Sequence, residues 1–468
     1  MSRDPIRSIL VLGDGIVGLS AALAFSRALP WVEITILRAE PGPGSIADHF
    51  PATLPMVGRF HAAIGLDELD LVRRGVAVHH LGTRFTTGEH EWVHSFGEVG
   101  RNEGSVPFRQ MWLGARQSGD TLAYDRYSPA SMIGAAGKFV HPSLDPTSLL
   151  ATYLYGLRLN PERYRATLEA ATDKLHRASG AIAAIDRRDG RAIAAVTLDD
   201  GRRLEADLFV DCSGPGATLM SAMGGAFDDW SDLLPARHVS ADWAEAGTIA
   251  PLDQVEAVEG GWRLTSGVPG ATLRSSVTTG DRPGSFAIRP GRRPDSFVGN
   301  VVAFGDSAVA LDPLLGTTLS LAHSAILRAI DLIPGRDCNP LELAEYNRLT
   351  TLETDRARDY HALFQSSLPG AAAVPPSLAR TLAQWRDRGR LPFFEEESFT
   401  ESSWAQMLIG LGILPAAVAP SAAGIDGAEA AAAMASLATE IGALVSRLPD
   451  YGEYLERMAH APAGPART

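Results

Sequence analysis

Apolar positions near the start of the chain form two short runs on either side of a helix-like segment. Ile9-Leu-Val-Leu12 is a continuous apolar run, the pattern of a strand buried on both faces. Gly13-Asp-Gly-Ile-Val-Gly18 follows at once, then an alanine-rich stretch from Leu19 to Leu29 that predicts a helix, then Ile34-Thr-Ile-Leu37 as the next strand. Further on, Asp145 to Ala171 reads as a helical region broken at Tyr155-Gly-Leu-Arg-Leu159. Ala181–Ile185 and Ala192–Leu198, with Asp189-Gly190 between them, predict a hairpin, and Asp200-Gly201 a further turn. Ala206–Asp211 is a buried strand running into the glycine loop Cys212–Gly216. Gly299 to Asp306 repeats that pattern ahead of a helix from about Thr317 to Ile333.

One N-terminal glycine fingerprint and two distant strand-to-glycine endings describe an α/β dinucleotide-binding domain assembled from discontinuous segments. That domain is expected over residues 1–340, with substrate-side segments interleaved at about 78–150 and 220–295. Residues 341–468 are expected to be mainly helical, with a proline-rich interruption from Leu368 to Pro376. Ala428–Leu448 reads as an alanine-rich packing helix and Ala461–Thr468 as a frayed end.

Composition narrows the class. The 468 residues are 45% hydrophobic and 21% charged, a balance that belongs to globular proteins rather than disordered ones. A formal charge of −13 argues against nucleic acid or an anionic membrane surface as partner. No apolar run reaches the about 18 residues of a membrane span, and the first residues lack the pattern of a signal peptide. Two cysteines, Cys212 and Cys338, allow one disulfide at most and no metal cluster, so the expected compartment is the cytoplasm. Lys138 and Lys174 are the only lysines, which leaves few places for amine chemistry.

The fingerprint carries the first chemistry. Gly13 permits the tight turn, Gly15 lets backbone approach a pyrophosphate, and Gly18 allows close helix–strand packing. The N–H groups of Ile16, Val17 and Gly18, with the positive end of the helix dipole, then face the phosphates. The second strand ends on Arg38, with Glu40 two residues later, where an acid usually receives the ribose. Arg38 for a 2′-phosphate, Glu40 for the ribose, and Arg38 stacked on adenine all remain open.

An ordered series of motifs resembles the flavin-dependent tryptophan halogenases, a branch of the FAD-dependent monooxygenases. Its members in this chain are Ala52-Thr-Leu-Pro55, Ile64-Gly-Leu66, Tyr155-Gly-Leu-Arg-Leu159, Asp211-Cys-Ser-Gly214 and Val298-Gly-Asn300 through Gly305 to Asp312-Pro-Leu314. Two more follow: Glu401-Ser-Ser-Trp404 through Gly412 to Pro415, and Leu448-Pro-Asp-Tyr-Gly-Glu-Tyr-Leu455. The series covers almost the whole chain. The resemblance implies an FAD-binding fold of glutathione-reductase or monooxygenase type, FAD as cofactor, a separate flavin reductase, and an aromatic or other electron-rich small-molecule substrate. It also implies that Gly305-Asp306 holds the ribityl chain, that Thr53 lies in a strap over the flavin, and that Gly316-Thr317-Thr318-Leu319 opens a helix facing the isoalloxazine.

Three family signatures are altered. In the family, reduced FAD and O₂ oxidise chloride to hypochlorous acid, which travels to a lysine beside the substrate. That lysine falls on His80 here, in Val78-His79-His80-Leu-Gly-Thr-Arg-Phe85. The family's glutamate falls on Leu315, and its paired tryptophans are reduced to Trp262-Arg-Leu-Thr265. The expected activity is therefore an FAD-dependent, monooxygenase-like oxidation with His80 as acid or base. A non-catalytic scaffold and a halogenase with a relocated catalytic residue are the alternatives. The strap reads Phe50-Pro-Ala-Thr53 instead of Gly-Glu-Ala-Thr, and Asp48-His49 just before it carries no weight by itself.

Overall fold

A computed structural model describes residues 4–50, 52–118, 122–369, 373–422, 424 and 427–460. The frayed end expected at 461–468, and Pro51 of the strap, lie outside them. The chain divides into two compact units, each built from three separated segments. Unit 1 holds residues 1–71, 159–240 and 279–358; unit 2 holds 72–158, 241–278 and 359–468.

Unit 1 is the α/β part. Its first strand, β1 (Ser8–Leu12), lies between β2 (Glu33–Leu37) and the strand Leu208–Asp211, parallel to both. Val301–Ala303 extends the sheet beyond 208–211 and His176–Ala178 extends it beyond β2. Helix α1 (Ile16–Ala28) is buried from Ile16 through Phe25, which its run of apolar and small residues permits on every face. It packs against the helices Val57–Ile64, Pro161–Ala171 and Thr317–Asp331. The expected hairpin forms over Ile182–Arg188 and Ala192–Leu198, its turn made by Asp189 and Gly190 at φ 52° and 66°.

The segment 145–171 differs from its expectation. Tyr155–Leu159 is no break within a helix: Gly156–Leu159 is a strand paired with Ala77–His80, and the helix starts afresh at Pro161. Asn160 caps it by accepting the N–H of Arg163, and Pro161 takes the first turn. A residue ahead of proline is pushed into extended backbone, so the cap and the strand end come together.

Unit 2 contains an antiparallel run, Leu252–Val258, Gly261–Val268 and Ala271–Thr278, extended by Gly82–Thr87 and His90–Ser95. The pairing of 252–258 with 82–87 is parallel and sets Leu252 against Gly82. Its core gathers Val78, Leu81, Trp112, Phe139, Leu252 and Ile441 among others. Helix Pro340–Ser366 belongs to unit 1 through residue 358 and to unit 2 from residue 359. Helix Gly427–Arg447 is long and apolar enough to cross a membrane by length and composition only. Ala430, Met434, Leu437, Ile441 and Val445 nevertheless form one stripe buried in the unit 2 core, so it behaves as a packing helix.

Candidate functional site

The glycine turn closes at the C-terminal end of β1. Gly13 sits at φ 122°, a conformation open to glycine, and its N–H donates to the carbonyl of Leu37 at 3.0 Å. A Cβ at Gly18 would lie 2.1 Å from the carbonyl oxygen of Gly13, so helix and turn touch backbone to backbone. Gly15 is the N-cap of α1 and brings no capping side chain, and the first turn of the helix holds no acid. The amides of Ile16, Val17 and Gly18 are therefore donors that the helix cannot satisfy from within.

A carboxylate from elsewhere has taken part of that space. Asp48, in the four-residue helix α2 (Ile46–His49), accepts the N–H of Val17 through Oδ1 at 3.2 Å. The same Oδ1 stands 2.3 Å from where a Gly15 Cβ would be. Burial raises the Asp48 carboxyl to about 6 against the opposing pull of the Val17 and Ile16 amides, His49 and Arg165. In sequence Asp48 has nothing to mark it; only folding brings it across 31 residues to the fingerprint.

At the end of β2, Arg38 pairs with Asp14 at 3.0 Å and lies 3.8 Å from Glu40. Asp14 is the second residue of the fingerprint. It also accepts the Ala39 N–H at 3.2 Å and meets Arg165 at 3.3 Å. A cleft of about 580 Å³ opens here, lined by Asp14, Ile36, Arg38, Glu169 and Arg177 among others. The buried acid at the sheet end thus comes from the turn, not from the strand, and this role of Asp14 is missed in the sequence because motif logic looks for it at the end of β2.

The strap is tied at both ends to unit 1. Ala47 donates its N–H to Asp306 Oδ2 at 3.1 Å, and Leu54 donates its own to Ser320 Oγ at 2.8 Å. Thr53 is buried, and Gly316, at φ 69°, lets the strap pass: a Cβ there would lie 2.5 Å from the carbonyl carbon of Ala52. Gly305, at φ 59°, abuts Val17. Burial, and then the neighbouring Asp48, push the Asp306 carboxyl up to about 7, although Ala47 draws it down. Leu315 precedes Gly316 in a left-handed conformation, φ 56°, which a branched side chain adopts only under local strain. Thr317, Thr318 and Leu319 start helix 317–331 in full burial.

Two buried acceptors in this group lack a partner: Asp306 Oδ1 and Thr318 Oγ1. A ligand carrying hydroxyl and N–H donors would satisfy both, and the N-terminal amides of α1 suit an anion. A dinucleotide with a polyol arm, which FAD is, matches that donor and acceptor set.

His80 ends its strand in unit 2 with its side chain at 0% exposure. Nε2 lies 3.3 Å from Asp253 Oδ2, and Asp253 Oδ1 meets Arg158 at 2.9 Å, itself 1% exposed. Arg158 also donates to the carbonyls of Leu252 and Ala250. Phe96 packs edge-on to the imidazole, 5.2 Å between centroids. His79, one residue earlier, stacks on Phe139 and bonds the Tyr451 hydroxyl through its N–H and Nδ1. Asp253 and Arg158 give no signal in the sequence, because their partnership depends on strands 76 or more residues apart. Lys138 is committed as well: its ammonium donates to the Leu448 carbonyl at 2.5 Å and pairs with Asp450 at 3.6 Å. Lys174 is exposed in unit 1. Trp262 and Trp404 are buried against Phe364 and Tyr360, and His323 stacks on Phe60 at 3.7 Å; all three pack.

The comparisons agree with this architecture. The chain is 27% identical to the tryptophan 7-halogenase KtzQ of Kutzneria sp. (strain 744), over 98% of this chain and 99% of that protein. It is 25% identical to the tryptophan 6-halogenase SttH of Streptomyces toxytricini, over the same shares. Among solved structures, BrvH, a flavin-dependent halogenase from Brevundimonas sp. BAL3, superposes with a TM-score of 0.90 at 28% identity, covering 97% of this chain and 99% of that one. The family profile described as tryptophan halogenase matches residues 8–269 and 270–427, and on that match the chain belongs to the tryptophan halogenase family.

Proposed function

We propose that this chain is an FAD-dependent oxidoreductase that inserts oxygen into an aromatic or other electron-rich small molecule and does not halogenate it. The observation that carries this reading is the buried His80–Asp253–Arg158 group, at the position to which the sequence resemblance assigns the family lysine. An imidazole held by a carboxylate supplies no amine to carry an electrophilic halogen. Lys138, the one lysine of unit 2, spends its ammonium on Leu448 and Asp450.

FAD, bound and reduced, supplies the two electrons that activate O₂. In this reading Gly13, Gly15, Ile16, Val17 and Gly18 receive its diphosphate, Asp306 takes a ribityl hydroxyl, and Thr53 with Gly305 shapes the strap side. Gly316 and the amides of Thr317, Thr318 and Leu319 stabilise negative charge on the ring. Arg38 and Glu40 flank the adenosine end, where Asp14 is the buried acid. A separate flavin reductase provides the electrons, since one dinucleotide fingerprint is present. With its side chain wholly buried, His80 serves as a positioning residue: the 3.3 Å contact to Asp253 fixes its ring and the strand end that carries it.

The test supplies a flavin reductase, NADH, O₂ and chloride or bromide, with tryptophan and simple phenols as substrates. Mass spectrometry is expected to find a product heavier by one oxygen and none carrying halogen. His80→Ala is expected to lower kcat more than it raises KM, with His80→Asn recovering part of the loss. A chlorinated or brominated product that disappears in Lys138→Ala overturns the reading in favour of a relocated halogenase. A second reading, a scaffold without redox chemistry, draws on Asp48 standing in the fingerprint; a chain that takes up no FAD would bear it out.

A further inference from the structure

We propose that Asp48 is a built-in occupant of the phosphate seat: its carboxylate caps α1 and must withdraw for the diphosphate of FAD to bind. This rests on the FAD reading above and concerns what the strap does before the cofactor arrives.

Geometry carries the argument. In a dinucleotide fingerprint the second glycine is bare so that a pyrophosphate can come close to backbone. Here the space over Gly15 is filled by Asp48 Oδ1, with Pro41 Cγ 3.1 Å away from the same point. The contact is also a bond, since Oδ1 accepts the Val17 amide, one of the donors a phosphate would use. Carboxylate and phosphate oxygens ask the same thing of a helix N-terminus, and α1 has no acid or capping side chain of its own to compete.

Charge makes joint occupancy unfavourable. Asp306, 7% exposed, approaches from residues 305–307 and keeps Oδ1 without a partner. Around Asp48 stand His49 on α2, Arg165 on helix 161–171, the Cys212 thiol, and the amides of Ile16 and Val17. Arg165 is already engaged by Asp14 and Glu169. At pH 8, where both carboxyls are ionised, two carboxylates and a diphosphate would crowd negative charge into this buried space beyond what Arg165 and His49 offset. The carrier of Asp48 is a short element: α2 is four residues long, bound through Ala47 to Asp306 and through His49 to the Gly42 carbonyl at 3.0 Å. Shifting one such turn disturbs little of the sheet.

The experiment titrates FAD into the wild-type chain, Asp48→Ala and Asp48→Asn at pH 8, following flavin fluorescence, and measures the melting temperature of each protein without FAD. Both variants are expected to bind FAD at least about tenfold more tightly than wild type. Asp48→Ala without FAD is expected to melt lower, having lost a cap, and to gain more from added FAD than wild type does. Should Asp48→Ala fail to fold, Asp48→Asn carries the same comparison, since it keeps an oxygen for the Val17 amide and removes the charge. Equal or weaker binding by the variants, with wild type binding normally, overturns the proposal alone. Absence of FAD uptake by all three chains overturns the FAD reading and this proposal with it.

Discussion

Asp306 shows how a single side chain answers to its surroundings. A carboxyl with an ordinary value near 3.8 is pushed up to about 7 by burial and by Asp48, so the folded chain prefers it protonated. A raised acid contributes stability that is full below the unfolded value and is lost as pH climbs through the folded one. The cofactor-free protein therefore gives up stability at this site between about pH 4 and pH 7. Asp306→Asn, which cannot ionise, is expected to gain melting temperature relative to wild type on moving from pH 5 to pH 8. A difference between the two proteins that stays constant across that range would remove the charge argument. His94 titrates with the opposite sign. Buried and bonded to the Tyr360 hydroxyl at 2.7 Å, it is depressed to about 4, so its contribution is full above about 6.5 and lost as pH falls. The fingerprint glycines were legible in the sequence because each does one steric job. Asp48 was not, because its importance lies in where α2 ends up.

Among elements, helix Gly427–Arg447 separates composition from pattern. Its alanine-rich stretch passes a membrane test on average apolarity. Burial at spacings of four, three, four and four, from Ala430 through Met434, Leu437 and Ile441 to Val445, instead marks one stripe packed against helices 108–118 and 129–135. Ile441→Ala removes a wholly buried side chain and is expected to cost about 2–5 kcal/mol in denaturant unfolding of the chain in plain buffer. An unchanged midpoint would mean that the stripe packs on nothing in solution. The strand Gly261–Val268 alternates in burial, with Trp262, Leu264, Ser266 and Val268 buried and Arg263 and Thr265 exposed between turns at Gly260 and Gly270. Its parallel neighbour pair, 252–258 with 82–87, was not legible, because nothing local links strands so far apart.

For the whole molecule, the decisive fact is that neither unit is a continuous stretch. Unit 2 takes its core from both sides of residue 340: Val78, Leu81 and Phe139 pack with Met434, Ile441 and Tyr451. Cutting the chain at 340, where a helical C-terminal region was expected to begin, removes part of that core. A fragment of residues 1–340 is expected to expose apolar surface, bind a hydrophobic dye and aggregate. A soluble fragment with a cooperative melt would show that the remaining segments suffice.

The sequence alone determined the βαβ opening, the hairpin at 182–198 and the family. Each of these is written in neighbouring residues, where a turn, a period or a motif has a local physical cause. Tertiary structure alone decided which distant side chains meet. It set His80 against Asp253 and Arg158, paired Asp14 with Arg38, and laid Asp48 over Gly15. Burial, dielectric and charge act through space, and those distances exist only once the chain has folded.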